Sequence, residues 1–128
     1  MKYVVMIHSH PEPWGHPTID FTPEGRAVPK AERQAMEKEF DEFLEALSKR
    51  GELVFADALA APEQSTVLRW DGDKPVASQG PFAESVEHLA GFFVIDVESR
   101  ERAEEIARRF ASAGDVVELR PSYSWPEE

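Results

Sequence analysis

The first residues of the chain alternate between two sides, as side chains do along a β-strand. One side comprises Tyr3, Val5 and Ile7, and the other comprises Val4, Met6 and His8. This period of two predicts a strand over residues 2–8. Short apolar runs that predict further strands follow at residues 52–59, 65–70, 75–77, 89–96 and 116–120. The sequence Asp-Gly-Asp-Lys at residues 71–74 predicts a hairpin turn between two of them.

Two other segments have the three- to four-residue spacing of amphipathic helices. The first begins at Pro29, stops at Gly51 and carries Met36, Phe40, Phe43, Leu44 and Leu47. The second follows Ser99, whose hydroxyl can cap a helix, and carries Ala103, Ile106, Ala107 and Phe110. Because each helix is apolar on one side only, this order of elements predicts an α+β fold, a ferredoxin-like antiparallel sheet with two helices on one face. The other, uncovered face of the sheet predicts a homodimer.

A long polar connection at residues 9–28 separates the first strand from the first helix. Connections of this length are uncommon inside a domain and are often lids or binding loops. Its aromatic residues, Trp14 and Phe21, need something to pack on. We therefore expect the loop either to close over a ligand, with Trp14 excluding water, or to swap across the dimer.

Composition narrows the possible functions. The 128 residues suit one domain, and 41% hydrophobic with 30% charged residues suits a packed core. A net charge of -11 without a basic patch argues against nucleic-acid binding. The absence of cysteine excludes disulfides, thiolate nucleophiles and thiolate-bound metals. No stretch approaches the ~20 apolar residues of a membrane span, so we expect a cytoplasmic protein that does not bind membranes.

Histidine is the natural acid–base group in a chain without thiols. All four histidines lie outside the predicted helices, at positions 8, 10, 16 and 88. His8 ends the first strand beside the long loop, either as a strand-end residue without a role or as a catalytic group. His8, His10 and His16 could also bind a metal together with Glu12. Prolines interrupt that segment, and we predict no metal.

Three carboxylates are candidates for acid–base chemistry: Asp57, Glu84 and Glu87. Asp57 lies in an otherwise apolar strand. A carboxylate among apolar neighbours would suit a proton shuttle, whereas the alternative is a cap-like hydrogen bond at the start of a loop. Glu84 and His88 would form a carboxylate–imidazole couple if residues 84–88 formed a helical turn, and the adjacent Glu87 is expected to be solvated. The predicted catalytic residues are therefore His8, Asp57, Glu84 and His88.

Aromatic residues supply candidates for substrate contact. Phe92 and Phe93 are adjacent in a strand, so one of them faces the cleft or the dimer interface. The predicted substrate-binding residues are His10, Trp14, Phe82 and Phe93. Neither a Rossmann fingerprint nor a Walker motif occurs, and we predict no nucleotide or other cofactor.

Residues 79–85 read Gln-Gly-Pro-Phe-Ala-Glu-Ser and are followed by Gly91, Phe92 and Phe93. This stretch resembles the YCII-related, or DGPF-motif, family, and matches at residues 1–3, 51–54 and 117–121 extend the resemblance over nearly the whole chain. The resemblance implies a dimeric α+β barrel, similar to that of muconolactone isomerases. It also implies cofactor-free chemistry on small cyclic substrates, as a few members perform.

The chain departs from the family at two positions of interest. Short members carry a histidine on the first helix, but residues 31–47 contain none and Phe40 occupies that position. The aspartate that opens the motif is Gln79 here. We therefore predict a cofactor-independent isomerase, dehydratase or lyase that transfers protons on a cyclic hydrophobic substrate. The alternative, favoured by these two losses, is a non-catalytic ligand-binding or regulatory dimer.

Overall fold

A four-stranded antiparallel sheet forms the centre of the structure, a computed structural model that describes residues 1–123. Its strands are β1 (Lys2–Ser9), β2 (Leu53–Ala58), β5 (His88–Asp96) and β6 (Val116–Pro121), in the spatial order β2-β5-β1-β6. Strands β3 (Thr66–Trp70) and β4 (Pro75–Gln79) form a separate hairpin. The helices are α1 (Pro23–Arg26), α2 (Lys30–Lys49) and α3 (Arg100–Phe110). The predicted α+β class and antiparallel sheet are confirmed.

The core lies between the sheet and the two long helices. Tyr3, Val5 and Ile95 of the sheet are buried against Leu47 of α2 and Ile106 of α3. Phe110 joins the layers, because its ring lies 4.5 Å from that of Phe93 and 5.2 Å from that of Phe40, measured between centroids. The helices therefore cover the face of the odd-numbered β1 side chains, and the even-numbered side chains lie on the other face, as strand geometry requires.

The opposite face of the sheet has no covering layer within the described part of the chain. Val4 and Met6 pair with Val94 and Phe92 across β1 and β5, and all four are only partly buried. Phe55 of β2 is 55% exposed, and its ring lies 5.9 Å from that of Phe92. This face thus presents apolar side chains to solvent.

The connection at residues 9–28 is folded. It contains a short 3-10 helix (Thr18–Phe21) and α1, which begins after Thr22. The Thr22 hydroxyl accepts a hydrogen bond from the Gly25 backbone N–H at 3.0 Å, as an N-cap does. A side chain at Gly25 would collide with the Ile19 carbonyl oxygen. Glycine at this position therefore lets the two short helices pack closely.

The predicted hairpin is confirmed, and its second strand runs on to Gln79. Asp71 accepts hydrogen bonds from the Lys74 and Asp73 backbone N–H groups, which lower the pKa of its carboxyl group. Gly72 has a φ of 101°, which suits the turn. Residues 81–87 form a loop without helix, so the helical turn that would bring Glu84 and His88 together is absent.

None of the helices described for residues 1–123 has the length and apolar character needed to cross a membrane.

Candidate functional site

A cavity of about 510 Å³ lies between the sheet and the helices α2 and α3. Its wall is largely apolar and includes Ile7, Ile19, Phe40, Phe93 and Phe110. Small residues on β2 and β5 leave the space open, because Ala56, Ala58 and Gly91 also border it. The volume suits a small organic molecule with one or two rings.

The long loop is attached to the sheet beside this cavity by two hydrogen bonds to one carbonyl. Trp14 Nε1 and His16 Nε2 both lie 2.9 Å from the Leu59 carbonyl oxygen, just after β2. The two rings meet edge to face, with 6.2 Å between their centroids. The loop is therefore held where residues 16–19 form one side of the cavity.

The same contact determines the tautomer of His16. A carbonyl oxygen only accepts hydrogen bonds, so Nε2 of His16 must carry the proton. In the neutral ring, Nδ1 then has a free lone pair, and no residue among positions 1–123 donates a hydrogen bond to it. His16 borders the cavity and is exposed. It thus meets the requirements for a proton acceptor.

A polar corner of the cavity is formed by Thr18, Ser112 and Asp115. The Thr18 and Ser112 hydroxyls donate to Asp115 Oδ2 at 2.6 and 3.2 Å. Asp115 Oδ1 is buried and has no hydrogen-bond partner within residues 1–123. These groups give a largely apolar cavity one hydrophilic corner.

Two arginines also border the cavity, and they differ in their partners. Arg33 donates to Asp20 Oδ1 at 2.6 Å and to the Val28 carbonyl at 3.0 Å. Its charge is therefore already matched by a carboxylate. Arg109 instead makes a cation–π contact with Phe43, with its Cζ atom 4.3 Å from the ring centroid.

His8 lies on the uncovered face of the sheet, away from the lining of the cavity. Its Nε2 atom is 3.0 Å from Glu118 Oε1 on β6, and Arg120 donates to the other oxygen of Glu118 at 2.6 Å. The hydrogen bond from His8, followed by that from Arg120, lowers the pKa of the Glu118 carboxyl group. His8 is thus one half of an imidazole–carboxylate pair on that face.

The other predicted catalytic residues lie apart from one another. Asp57 borders the cavity, but it pairs with Phe92 in the sheet register, so its side chain shares the face of Phe92. Glu84 is exposed in the loop before β5, and His88 is the first residue of β5, opposite Ser9. Neither Glu84 nor His88 belongs to the cavity lining.

Of the predicted substrate contacts, Phe93 borders the cavity and Trp14 attaches the adjoining loop. Phe82 is 74% exposed and lies 5.5 Å from the Arg69 guanidinium. His10 Nε2 lies 3.1 Å from Glu24 Oε2, and its Nδ1 atom is buried without a partner in the described chain. The pKa of the Glu24 carboxyl group is lowered mainly by a hydrogen bond from the Glu24 backbone N–H, and further by the hydrogen bond from His10.

The structure does not bring the loop histidines together around one point. His8, His10 and His16 have Glu118, Glu24 and the Leu59 carbonyl as their separate partners. Within residues 1–123, no group of three or more His, Asp or Glu side chains has the geometry to hold a metal ion.

The cavity therefore depends on residues that pattern analysis passed over. From the sequence, His16 was considered specifically only as a possible metal ligand, and neither Asp115 nor Arg109 was a candidate site residue. One signal for His16 was available, because Trp14 and His16 are two positions apart, a spacing that places two side chains on the same side of an extended segment. Nothing in the sequence around Asp115 indicates its partner Thr18, which is 97 positions away.

Comparison with known families gives one match, since the family model of the YCII-related domain covers residues 1–126. None of the curated proteins compared with the chain matches it.

Proposed function

We propose that this chain, which belongs to the YCII-related domain family, is a cofactor-independent enzyme that transfers protons on a small, cyclic, largely apolar substrate. The supporting observation is the cavity of about 510 Å³, which combines an apolar wall with His16 at its border. An apolar wall excludes water from the substrate, and an imidazole near neutral pH can both accept and return a proton.

The proposed step begins with a C–H bond next to a substrate carbonyl. His16 Nδ1 accepts the proton, and the electron pair of that bond moves into an enolate. His16 then returns the proton to another carbon of the conjugated system, which completes an isomerisation, whereas return to the same carbon only exchanges its hydrogen. Nε2 keeps its hydrogen bond to the Leu59 carbonyl throughout, which supports the positive charge on the protonated ring.

The attached loop contributes the position of the base. Trp14 donates to the same carbonyl as His16, and its indole ring packs against the imidazole. The imidazole therefore cannot leave the cavity border without losing both its hydrogen bond to Leu59 and its contact with Trp14. The hydroxyl oxygens of Thr18 and Ser112, whose protons are donated to Asp115, accept a hydrogen bond from a hydroxyl group of the substrate in this proposal. The apolar wall then receives its ring.

Hydrogen–deuterium exchange tests the proposal without knowledge of the natural substrate. The probe is 2-cyclohexen-1-one in D2O, and the loss of its C4 and C6 proton signals is followed by proton NMR. Wild-type protein should accelerate the exchange, and His16→Gln should reduce the acceleration by about 100-fold or more. Glutamine can still donate to the Leu59 carbonyl, so the loop attachment is preserved.

Parallel variants distinguish the candidate bases. His8→Gln and His88→Gln change the histidines that we predicted from sequence, neither of which belongs to the cavity lining. A loss confined to His8→Gln would move the proposed chemistry to the His8–Glu118 pair on the uncovered face. If wild type binds the ketone without accelerating exchange, the non-catalytic ligand-binding alternative is favoured.

We also propose a homodimer in which the uncovered faces of two sheets meet, as in a dimeric α+β barrel. The support is the row of partly exposed apolar side chains on β1 and β5, together with Phe55. Phe55→Glu should shift the mass measured by light scattering towards the monomer. Ala31→Glu adds the same charge at an exposed position of α2 and serves as control. A monomeric wild type at high concentration would refute the dimer.

A further inference from the structure

Arg109 differs from the other arginines of residues 1–123 in having no acceptor. Its guanidinium contacts the Phe43 ring, and no carboxylate or carbonyl oxygen of the described chain lies within hydrogen-bond or ion-pair distance of it. The remaining arginines each have such a partner, and these are Arg26, Arg33, Arg50, Arg69, Arg100, Arg102, Arg108 and Arg120. Acids outnumber bases by 25 to 14 in this chain, so an arginine without an acidic partner is informative.

The position of Arg109 makes this cation available to a bound molecule. Both Arg109 and Phe43 border the cavity. The Arg109 Cζ atom lies 4.3 Å over the Phe43 ring, and this cation–π contact holds the guanidinium beside the cavity. The N–H groups along its edge are left without a protein acceptor, and their fork matches the two oxygens of a carboxylate.

Carboxylates near Arg109 limit the charge of the molecule that the cavity can bind. Glu37, Glu39 and Asp115 carry carboxylates and also border the cavity. These carboxylates would repel an anion elsewhere in the cavity and would disfavour a doubly charged ligand. A single negative group is therefore best accommodated beside Arg109, with the uncharged remainder of the molecule against the apolar wall.

We infer that the substrate is a monocarboxylate, a ring compound whose carboxylate pairs with the free edge of the Arg109 guanidinium. This inference rests on the proposed function, because it names the class of molecule that the same cavity receives. It assigns Arg109 a role in substrate selection and leaves proton transfer to His16.

Benzoate and benzamide provide a matched pair of probes, since they share size and shape and differ in charge. Binding is measured at low ionic strength by chemical-shift titration of the protein amides, which also identifies the residues that respond. Wild type should bind benzoate about tenfold more tightly than benzamide. Arg109→Met should remove this difference and leave benzamide binding unchanged.

Two further variants make the test specific. Arg108→Met removes the neighbouring cation, which lies 3.9 Å from Glu104 and outside the cavity lining, and should leave the preference for benzoate intact. Glu39→Gln removes a repelling charge and should strengthen benzoate binding about twofold without affecting benzamide.

The outcomes separate this inference from the proposal on which it rests. Equal binding of both probes, with shifts at cavity residues, overturns the carboxylate inference and leaves the proton-transfer proposal standing. A benzoate preference that survives Arg109→Met overturns the assignment of Arg109. If neither probe binds at millimolar concentration while the cyclohexenone exchange proceeds, the carboxylate inference fails alone. Failure of both experiments removes both proposals.

Discussion

The ion pair between Glu52 and Arg102 should be the largest single electrostatic contribution to the stability of this fold. Glu52 is only 8% exposed, and its two oxygens accept hydrogen bonds from Arg102 Nε at 2.9 Å and Nη2 at 2.8 Å. Arg50 lies 3.1 Å from the same carboxylate. The pair joins the start of β2 to the first turn of α3, and both elements enclose the core.

Replacing Glu52 by glutamine keeps the shape and removes the charge that both arginines face. Breaking one partner of a buried pair costs roughly 3–5 kcal/mol, because the remaining cation stays desolvated. Arg102 keeps a second acidic partner, Glu105 at 2.6 Å, so we expect a loss at the lower end of that range, about 3 kcal/mol. For a chain of this length, that loss corresponds to a fall in melting temperature of about 10 °C. Urea unfolding followed by circular dichroism measures the change in the free energy of unfolding.

The pH dependence of this change tests its cause. Hydrogen bonds from Arg102 lower the pKa of Glu52 below its usual value of 4.5. The carboxylate therefore stabilises the fold above that pH, and its contribution is lost as the pH falls through the lowered pKa. The difference between wild type and Glu52→Gln should be largest at neutral pH and shrink in the acid range. A difference that does not change with pH would refute the electrostatic explanation.

A matched control is the exposed pair of Glu45 and Lys49 on α2, whose atoms lie 3.1 Å apart. Glu45→Gln makes the same chemical change where solvent screens the charges, so its effect should stay within about 0.5 kcal/mol. If both variants lost equal stability, burial of the Glu52 pair would not be the reason for its effect.

Three further predictions address the loop, the cavity and the uncovered face. Gly25→Ala should lower the free energy of unfolding by about 1–3 kcal/mol in urea titrations, because its methyl group would collide with the Ile19 carbonyl. Ala56→Leu should fill the cavity and weaken benzoate and cyclohexenone binding at least tenfold in chemical-shift titrations, with the circular dichroism spectrum unchanged. His8→Ala should raise the pKa of Glu118, measured by carbon-13 NMR titration, because the hydrogen bond that lowers it is removed. Unchanged binding by Ala56→Leu would contradict the placement of the ligand in the cavity, and an unchanged Glu118 pKa in His8→Ala would contradict the His8–Glu118 hydrogen bond.

The sequence was sufficient for most of the fold because its elements are determined locally. The alternation over residues 2–8 and the apolar spacing along α2 and α3 follow from the geometry of strands and helices. The Ser99 cap was predicted from residue type, and its hydroxyl accepts a hydrogen bond from the Arg102 N–H at 3.1 Å. The two short helices in residues 9–28 were missed, because helices this short show no periodicity.

The site was much less predictable, since its contacts join distant parts of the chain. Alternation placed His8 on the side of Val4 and Met6, which is correct, but it could not tell which side the helices would cover. His16 meets its carbonyl 43 positions away. The emptiness of the cavity has no local signature either, because it depends on where Ala56, Ala58 and Gly91 fall relative to Phe40 and Phe93.

The attachment of the loop to Leu59 gives a physical reason why a residue in an irregular segment could act as the base. Residues in loops are usually less well positioned than residues in strands or helices. Here the Leu59 carbonyl follows β2 directly, and Trp14 and His16 both donate to it. Leu59 is itself fixed, because its N–H donates to the Ala90 carbonyl of β5 at 2.8 Å. The imidazole thereby takes its position from the central sheet, so an irregular length of chain between β1 and α2 can present a preorganised group to the cavity.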